Sequence, residues 1–225
     1  MQVSQTDSGQ DAKKRKLHEA QLIPGVDGHR TWGFPNTLIT KLRYGDVFTK
    51  TSTTGAIAFN TFVANSIFDP DVTGVGHQPM YRDTYATIYN QYVVIGSKIT
   101  VHFMPQADST GTSNFIVGIT GDDNNAFPTS VTDKMEQNNS VWTTTGAVGS
   151  DPRILTMTFE PNECFGIDAK SDGSAQTAQA SNPTELWCFG VWAHVIDATR
   201  TAKIDFAVEI EYTVKFSELI TPTGS

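Results

Sequence analysis

Residues able to carry chemistry are few in this chain, and their spacing assembles no catalytic set. Its five histidines are scattered without metal-ligand spacing, and the sequence contains no G-x-S-x-G, no H-E-x-x-H and no Gly-rich phosphate loop. His77, between Gly76 and Gln78-Pro79, reads as a hydrogen-bonded turn residue rather than a ligand or base. Two carboxylate pairs stand out: Asp69 and Asp71 flank Pro70, and Asp122-Asp123 follow Gly121. Either pair supplies hard oxygen ligands of the kind calcium takes, or both serve as turn and capping carboxylates. Spacing alone fixes no ligand set, so neither a metal nor a cofactor is expected. Cys164 and Cys188 sit in apolar company and read as reduced, buried thiols. One concentrated charge remains, Lys13-Lys14-Arg15-Lys16, on a chain whose net charge is −8.

The elements that must position these residues are strands. Of 225 residues only 18% are charged, and eighteen Gly and ten Pro punctuate the chain at short intervals, the pattern of a one-domain sandwich or barrel. No window approaches the ~18 to 20 consecutive apolar residues of a membrane span, and the N-terminus lacks the apolar core of a signal peptide. The expectation is a chain made in the cytosol without membrane contact. Residues 1–35 lack apolar periodicity and read as a flexible arm, 36–220 as the folded domain and 221–225 as a tail. Leu38, Leu42, Tyr44 and Phe48 mark a first strand, with Lys41 and Arg43 on its other face; Ile57, Phe59 and Val63 mark a second. Phe115, Val117 and Ile119 mark a fourth, and Ser130-x-x-Asp133 opens a short helix. Strands five and six follow at 141–145 and 155–159, then a long polar loop at 167–183. Strand seven, 186–196, is apolar on both parities, so a loop or helix covers its second face or another subunit does. Strand eight alternates without fault from Ile204 to Phe216.

Between the second and fourth strands three structural instructions follow one another. Asn65-Ser66-Ile67-Phe68-Asp69-Pro70-Asp71 ends an apolar run in turn chemistry, and Gly74-Val75-Gly76-His77-Gln78-Pro79 makes a second turn. Tyr81, Tyr85, Ile88, Tyr89 and Tyr92 then fall at helical spacing, and from Val93 the period becomes two, with Val93, Ile95, Ile99, Val101 and Phe103 on one face. This run resembles the capsid proteins of small circular, Rep-encoding single-stranded DNA viruses, the circovirus-like assemblage, over some forty positions; elsewhere only the strand pattern agrees. The resemblance implies a single jelly roll, and it assigns Asn65, Asp69, Pro70, Asp71, Gly76, His77, Gln78, Pro79, Gly96, Ser97 and Lys98 to a fixed structural framework.

The resemblance also implies self-association into an icosahedral shell, T=1 with sixty copies in the smallest case, enclosing circular single-stranded DNA. Charge is where this chain departs from it, because the family carries a longer Arg-rich arm. Lys13, Lys14, Arg15 and Lys16 are the candidate nucleic-acid contacts, with Lys41 and Arg43 as candidate neighbours on the inner wall. Sixty copies of the cluster supply ~240 positive charges against on the order of 10³ phosphates, so neutralisation is incomplete. The same cluster has the form of a nuclear localisation signal, which implies a host import partner and a nuclear stage before the virion; ordinary solubilising charge is the plainer alternative.

Eight strands with helical excursions after the second and the fourth make an all-β, eight-stranded jelly-roll sandwich with short inter-strand helices the most economical fold. An immunoglobulin-like sandwich does not call for a Tyr-rich helix after strand two. The expected role is structural, that of a coat protein. A jelly-roll carbohydrate-binding or attachment module, monomeric or a small oligomer, is the alternative. A cupin-like enzyme would need His and carboxylate ligands where the inward strand positions are apolar.

Overall fold

A computed structural model describes residues 33–221, apart from 75, 108–112, 125–129, 147 and 198 and the side chain of Ser174. The predicted cluster Lys13–Lys16 therefore lies outside the described residues. The chain divides into Met1–Asn36 and Thr37–Ser225, and the architecture is that of the second unit.

Among the described residues nine strands form two antiparallel sheets: β1 (Thr37–Ser52), β2 (Ala58–Val63), β3 (Tyr89–Pro105), β4 (Phe115–Asp122), β5 (Ser140–Thr144), β6 (Arg153–Phe159), the two-residue β7 (Thr177–Ala178), β8 (Cys188–Val195) and β9 (Ala202–Leu219). One sheet runs β1-β9-β3-β6, with β7 hydrogen-bonded to β3; the other runs β2-β8-β4-β5. With β7 set aside, the pairs β4/β5, β3/β6, β2/β8 and β1/β9 nest like one long hairpin with β4 and β5 at its tip, and successive pairs fall in alternate sheets. A long hairpin rolled into two layers is a jelly roll, the fold that the strand pattern predicts.

Alternation builds the core. Along β9, Ala202, Ile204, Phe206, Val208, Ile210, Tyr212, Val214 and Phe216 are buried between the sheets while Lys203 and Glu209 face out. Burying each large side chain contributes about 1.5–3 kcal/mol. Inside this core the Tyr212 hydroxyl donates across the sandwich to the Val63 carbonyl oxygen, 2.8 Å away. The bond satisfies a polar atom that would otherwise cost free energy in an apolar interior.

Among the described residues three short α-helices sit in connections: α1 (Arg82–Ala86), α2 (Val131–Glu136) and α3 (Pro161–Phe165). At α2 the predicted start holds, because Ser130 Oγ accepts the Asp133 N–H. The tyrosine-rich segment differs from expectation. Only five residues are helical, Tyr81 lies outside with φ of 69° and 67% exposure, and Tyr89 and Tyr92 are the first buried residues of β3. Tyr85 and Tyr89 both stack on Phe216 (centroids 4.8 and 5.9 Å), so the contact to the sandwich is real but begins after Tyr81.

Strand β3 also breaks the predicted face. A register shift between Val94 and Gly96 inserts one residue, so Tyr92 and Val94 join the core before it and Ile99, Val101 and Phe103 after it. Val93 and Ile95 thus lie on the opposite side from Ile99, since a bulge reverses parity. In β2 it is Phe62 that enters the core, and Phe59 is 42% exposed. The loop after β6 is less bare than its composition suggests, because Ala169 and Gln179 are buried and β7 pairs with Gln91 and Tyr92.

The second face of β8 is largely covered within the chain itself. Trp192 is fully buried within the single chain. A Cβ on Gly118 of the neighbouring β4 would stand 2.3 Å from the indole Cζ2, so the missing side chain makes room for the ring. Its Nε1 donates to Thr120 Oγ1 at 2.9 Å. Phe59 and Trp142 continue the same row across the sheet, half exposed.

Candidate functional site

The framework residues form one interlock where β2 runs into the turn that leads to α1. Asn65, 8% exposed, uses both ends of its amide on a segment more than a hundred residues away. Its Nδ2 donates to the Glu185 carbonyl oxygen (2.8 Å) and its Oδ1 accepts the Trp187 N–H (3.0 Å). Next to it, the Tyr92 hydroxyl bridges Ser66 Oγ and the Ser181 carbonyl oxygen, each at 2.8 Å. Burial pushes the Tyr92 phenol up to about 12. Ser97 Oγ donates to the Ala64 carbonyl oxygen at 2.6 Å, fastening β3 just after its bulge. Gly96 resumes the pairing directly after the bulged Ile95, opposite Thr213, and Lys98 points outward opposite Glu211.

Pro70 is buried, and its carbonyl oxygen accepts the Val63 N–H at 2.7 Å, which folds the turn back against β2. Asp71, also buried, accepts the N–H (2.9 Å) and Oγ1 (2.8 Å) of Thr73 on one oxygen and Asn60 Nδ2 (3.3 Å) on the other. These are capping bonds, as the turn reading expects. Desolvation and then the nearby Asp71 charge raise the Asp69 pKa. Gly76 must be glycine on packing grounds: a Cβ there would stand 2.8 Å from Asp71 Cβ and 2.9 Å from the Tyr44 hydroxyl. His77 stacks on Tyr44 with centroids 4.7 Å apart. Gln78 Nε2 donates to the Phe68 carbonyl oxygen (2.8 Å), and the Pro79 carbonyl oxygen accepts the Arg82 N–H that begins α1.

Two buried cations, one in this interlock and one on α2, carry no sequence signal. Arg82 is buried, lies over the Phe68 ring at 5.3 Å, and donates through NH1 to Asp83 and Gln78. Lys134 is buried too, with Nζ donating to Gln137 Oε1 (2.9 Å) and 3.9 Å from Asp122 Oδ2; burial lowers its pKa. Asp122 therefore anchors α2. No three histidines, cysteines or carboxylates converge as metal ligands among the described residues. Both cysteines are free, and burial, then Asp122 and Asp123, push the Cys188 thiol up to about 11, which makes it a poor nucleophile.

Lys41 and Arg43 lie side by side on the outward face of β1, opposite an acidic row of β9. Lys41 Nζ is 2.5 Å from Glu211 Oε1, Arg43 Nε is 3.3 Å from Glu209 Oε1, and Arg43 NH2 is 3.8 Å from Glu211 Oε2. The Lys41 hydrogen bond leads the causes that lower the Glu211 pKa. Two cations facing two carboxylates leave this strip close to neutral.

No family model matches the sequence, and no curated protein matches it. Solved structures do. The 60-mer of the BFDV capsid protein is 12% identical and aligns over 85% of this chain and 100% of that one, with a TM-score of 0.47. Turnip yellow mosaic virus at 100 K gives 12%, 84% and 98%, with 0.47. Mud crab tombus-like virus gives 6%, 89% and 98%, with 0.48. At identities of 12% or less and TM-scores below 0.5, these likenesses assign the chain to no family.

Proposed function

We propose that this chain is a viral coat protein that self-assembles into a closed icosahedral shell, T=1 with sixty copies, around circular single-stranded DNA. The observation that carries the proposal is the run 65–103. Its order of turn, second turn, Tyr-rich segment and strand resembles that of circovirus-like capsid proteins, and the same residues fasten β2, β3 and the loop before β8 into one interlock on a jelly roll. Residues 1–35 act as the arm, 36–220 as the shell domain and 221–225 as the tail. The framework residues work by holding loops in place, and Lys13, Lys14, Arg15 and Lys16 contact the genome and carry the nuclear import signal. The protein resides in the virion after a nuclear stage. Closed symmetry captures each subunit through several neighbours at once, so modest interfaces suffice.

Size-exclusion chromatography with negative-stain microscopy of the purified chain tests the proposal. Sixty copies of a 24.6 kDa chain make a particle of about 1.5 MDa. Uniform spherical particles of that size support it; a species of tens of kilodaltons at every salt and pH tried overturns it in favour of a monomeric attachment module.

A further inference from the structure

At the entrance to α1 the chain presents two apolar side chains to solvent, Met80 at 70% exposure and Tyr81 at 67%. Single exposed apolar residues need no explanation, but these two stand side by side on a strained turn. Tyr81 has φ of 69°, in the left-handed region that a bulky L side chain adopts only at a cost. The turn is nonetheless held firmly. Buried Pro79 and buried Arg82 flank it, the Pro79 carbonyl oxygen accepts the Arg82 N–H (3.1 Å), and the Tyr81 carbonyl oxygen accepts the Tyr85 N–H (3.1 Å). Among the described residues the Tyr81 ring has no ring partner and its hydroxyl no hydrogen bond. The result is an apolar projection whose backbone needs no further ordering on contact.

The same chain carries a cavity of about 450 Å³ bounded by β3, the end of β6, α3 and the loop that follows α3. Its walls are apolar at Val93, Phe159, Phe165 and Ile167 and polar at Gln176 and Glu185. Gln176 Oε1 accepts Ser217 Oγ (3.2 Å), which leaves its Nε2 uncommitted, and Glu185 is in no ion pair among the described residues. Such a pocket suits a phenol, which buries a ring and needs a partner for its hydroxyl. Together the Met and Tyr side chains have about twelve heavy atoms, a small load for a space within the ~300–1,000 Å³ range of ligand pockets. We infer that Met80 and Tyr81 of one copy seat in this cavity of a second copy, the ring against the apolar wall and the hydroxyl toward Gln176 and Glu185. Projection and cavity are different patches, so the contact is head-to-tail, the kind that makes a ring when the rotation between copies closes. One aromatic side chain buries only ~150–250 Å², against about 800 Å² per partner in a standard interface, so the contact is weak singly and acts by repetition. The inference rests on the proposed coat function.

Sedimentation of the full chain across concentration, beside thermal unfolding of the unassembled chain, tests it. Tyr81→Asn sets at φ of 69° a residue that tolerates this region, so the unassembled chain should keep or raise its unfolding midpoint. The concentration needed to form particles should nevertheless rise by at least about tenfold, as on loss of an interface anchor. Thr184→Trp, at an exposed position on the cavity wall, should block the seat and raise that concentration by a similar factor. Cross-linking reads the location. With the half-buried Cys164 replaced by Ser throughout, Tyr81→Cys copies mixed with Thr184→Cys copies should give an 81–184 disulfide between chains on mild oxidation, identified by peptide mass spectrometry. If Tyr81→Asn forms particles at the parental concentration, or if assembled particles give no 81–184 bridge, the inference is overturned and the coat reading stands. A parent chain that stays monomeric at every salt and pH tried overturns both.

Discussion

Replacing Asn65 by Ala removes the two hydrogen bonds that tie the end of β2 to the segment before β8. Both bonds run to backbone groups, the Glu185 carbonyl and the Trp187 N–H, and Asn65 is 8% exposed. Truncation strands one acceptor and one donor. Trp187 is half-buried and packs against Phe159 and Phe165, so its N–H reaches water poorly, whereas Glu185 is exposed and its carbonyl can rehydrate. The donor then costs about 1–3 kcal/mol and the acceptor about 0.5–1 kcal/mol. Their sum, roughly 1.5–4 kcal/mol, lowers the midpoint of thermal unfolding by roughly 3–16 °C in a domain of this size. Urea unfolding under conditions that keep the chain unassembled measures the loss, with Asn65→Asp as the companion variant. Aspartate keeps the acceptor for Trp187 but sets a carboxylate oxygen against the Glu185 carbonyl, so it too should destabilise. If Asn65→Ala unfolds within about 0.5 kcal/mol of the parent, the interlock does not hold this end of the sandwich and the framework reasoning fails.

Tyr85→Ala should cost about 1.5–3 kcal/mol, less than full burial would give, because the ring is only half-buried while stacked on Phe216; an unchanged melting temperature would contradict that stacking. Gly118→Ala should destabilise by about 1–3 kcal/mol or more, since the new methyl meets Trp192 and the Val141 carbonyl oxygen, and loss of the buried-indole fluorescence on unfolding at lower urea would register it. Stability should fall above pH 10. The Tyr92 pKa is raised from 10.0 to about 12 in the folded state, so its contribution is fully present below pH 10 and lost as pH rises toward 12, a change of about 3 kcal/mol; since burial also raises the Tyr44, Tyr89 and Tyr212 phenols, Tyr92→Phe should make the fall of the urea midpoint between pH 10 and 12 less steep, and an equal slope in both proteins would refute the assignment. Deleting residues 1–22 should leave particles intact and lower their ratio of absorbance at 260 nm to that at 280 nm; equal high ratios would move the genome contacts elsewhere, and equal low ratios would mean empty shells.

The fold was legible wherever alternation is uninterrupted. Strand β9 needs no partner to be recognised, and Ser130 announces α2 through its own side chain. Errors arose where one residue changes a parity or where spacing serves two structures. Tyr81 to Tyr92 has helical spacing, yet a one-turn helix passing directly into a strand places aromatic residues just as well, and the strand wins because Tyr89 and Tyr92 reach the core through it. The bulge beside Gly96 is invisible to periodicity, which assumes an unbroken pleat. The cover of the second face of β8 stayed open in the sequence because the pocket of Trp192 is the missing side chain of Gly118, seventy-four positions earlier and recognisable only from the register. The site was half legible: its residues were singled out, but Asn65 meets partners 120 and 122 positions away. No local reading supplies those.

Charge placement bears most directly on what the proposed shell would enclose. Residues 1–36 hold five of the sixteen Lys and Arg and four of the twenty-four Asp and Glu, so the remaining chain carries a net charge of −9. The two cations that seemed available on β1 already face Glu209 and Glu211. Exposed pairs of this kind contribute little to stability, about 0.2–1 kcal/mol each, but they do set the local potential. Phosphates approaching that strip would have to displace carboxylates held at salt-bridge distance, and they would do so against the net negative field of the whole domain. Genome contact by the domain itself is therefore unfavourable unless bound cations offset its charge, and the arm becomes the natural polyanion receptor. If four cations of the arm make the contacts, binding to single strands should fall with salt at a slope of about −2.8, a loss of roughly fifty-fold between 50 and 200 mM. A much steeper slope would require basic residues beyond Lys13–Lys16, and with Lys41 and Arg43 paired it would point to rearrangement of the β1–β9 charge row on binding.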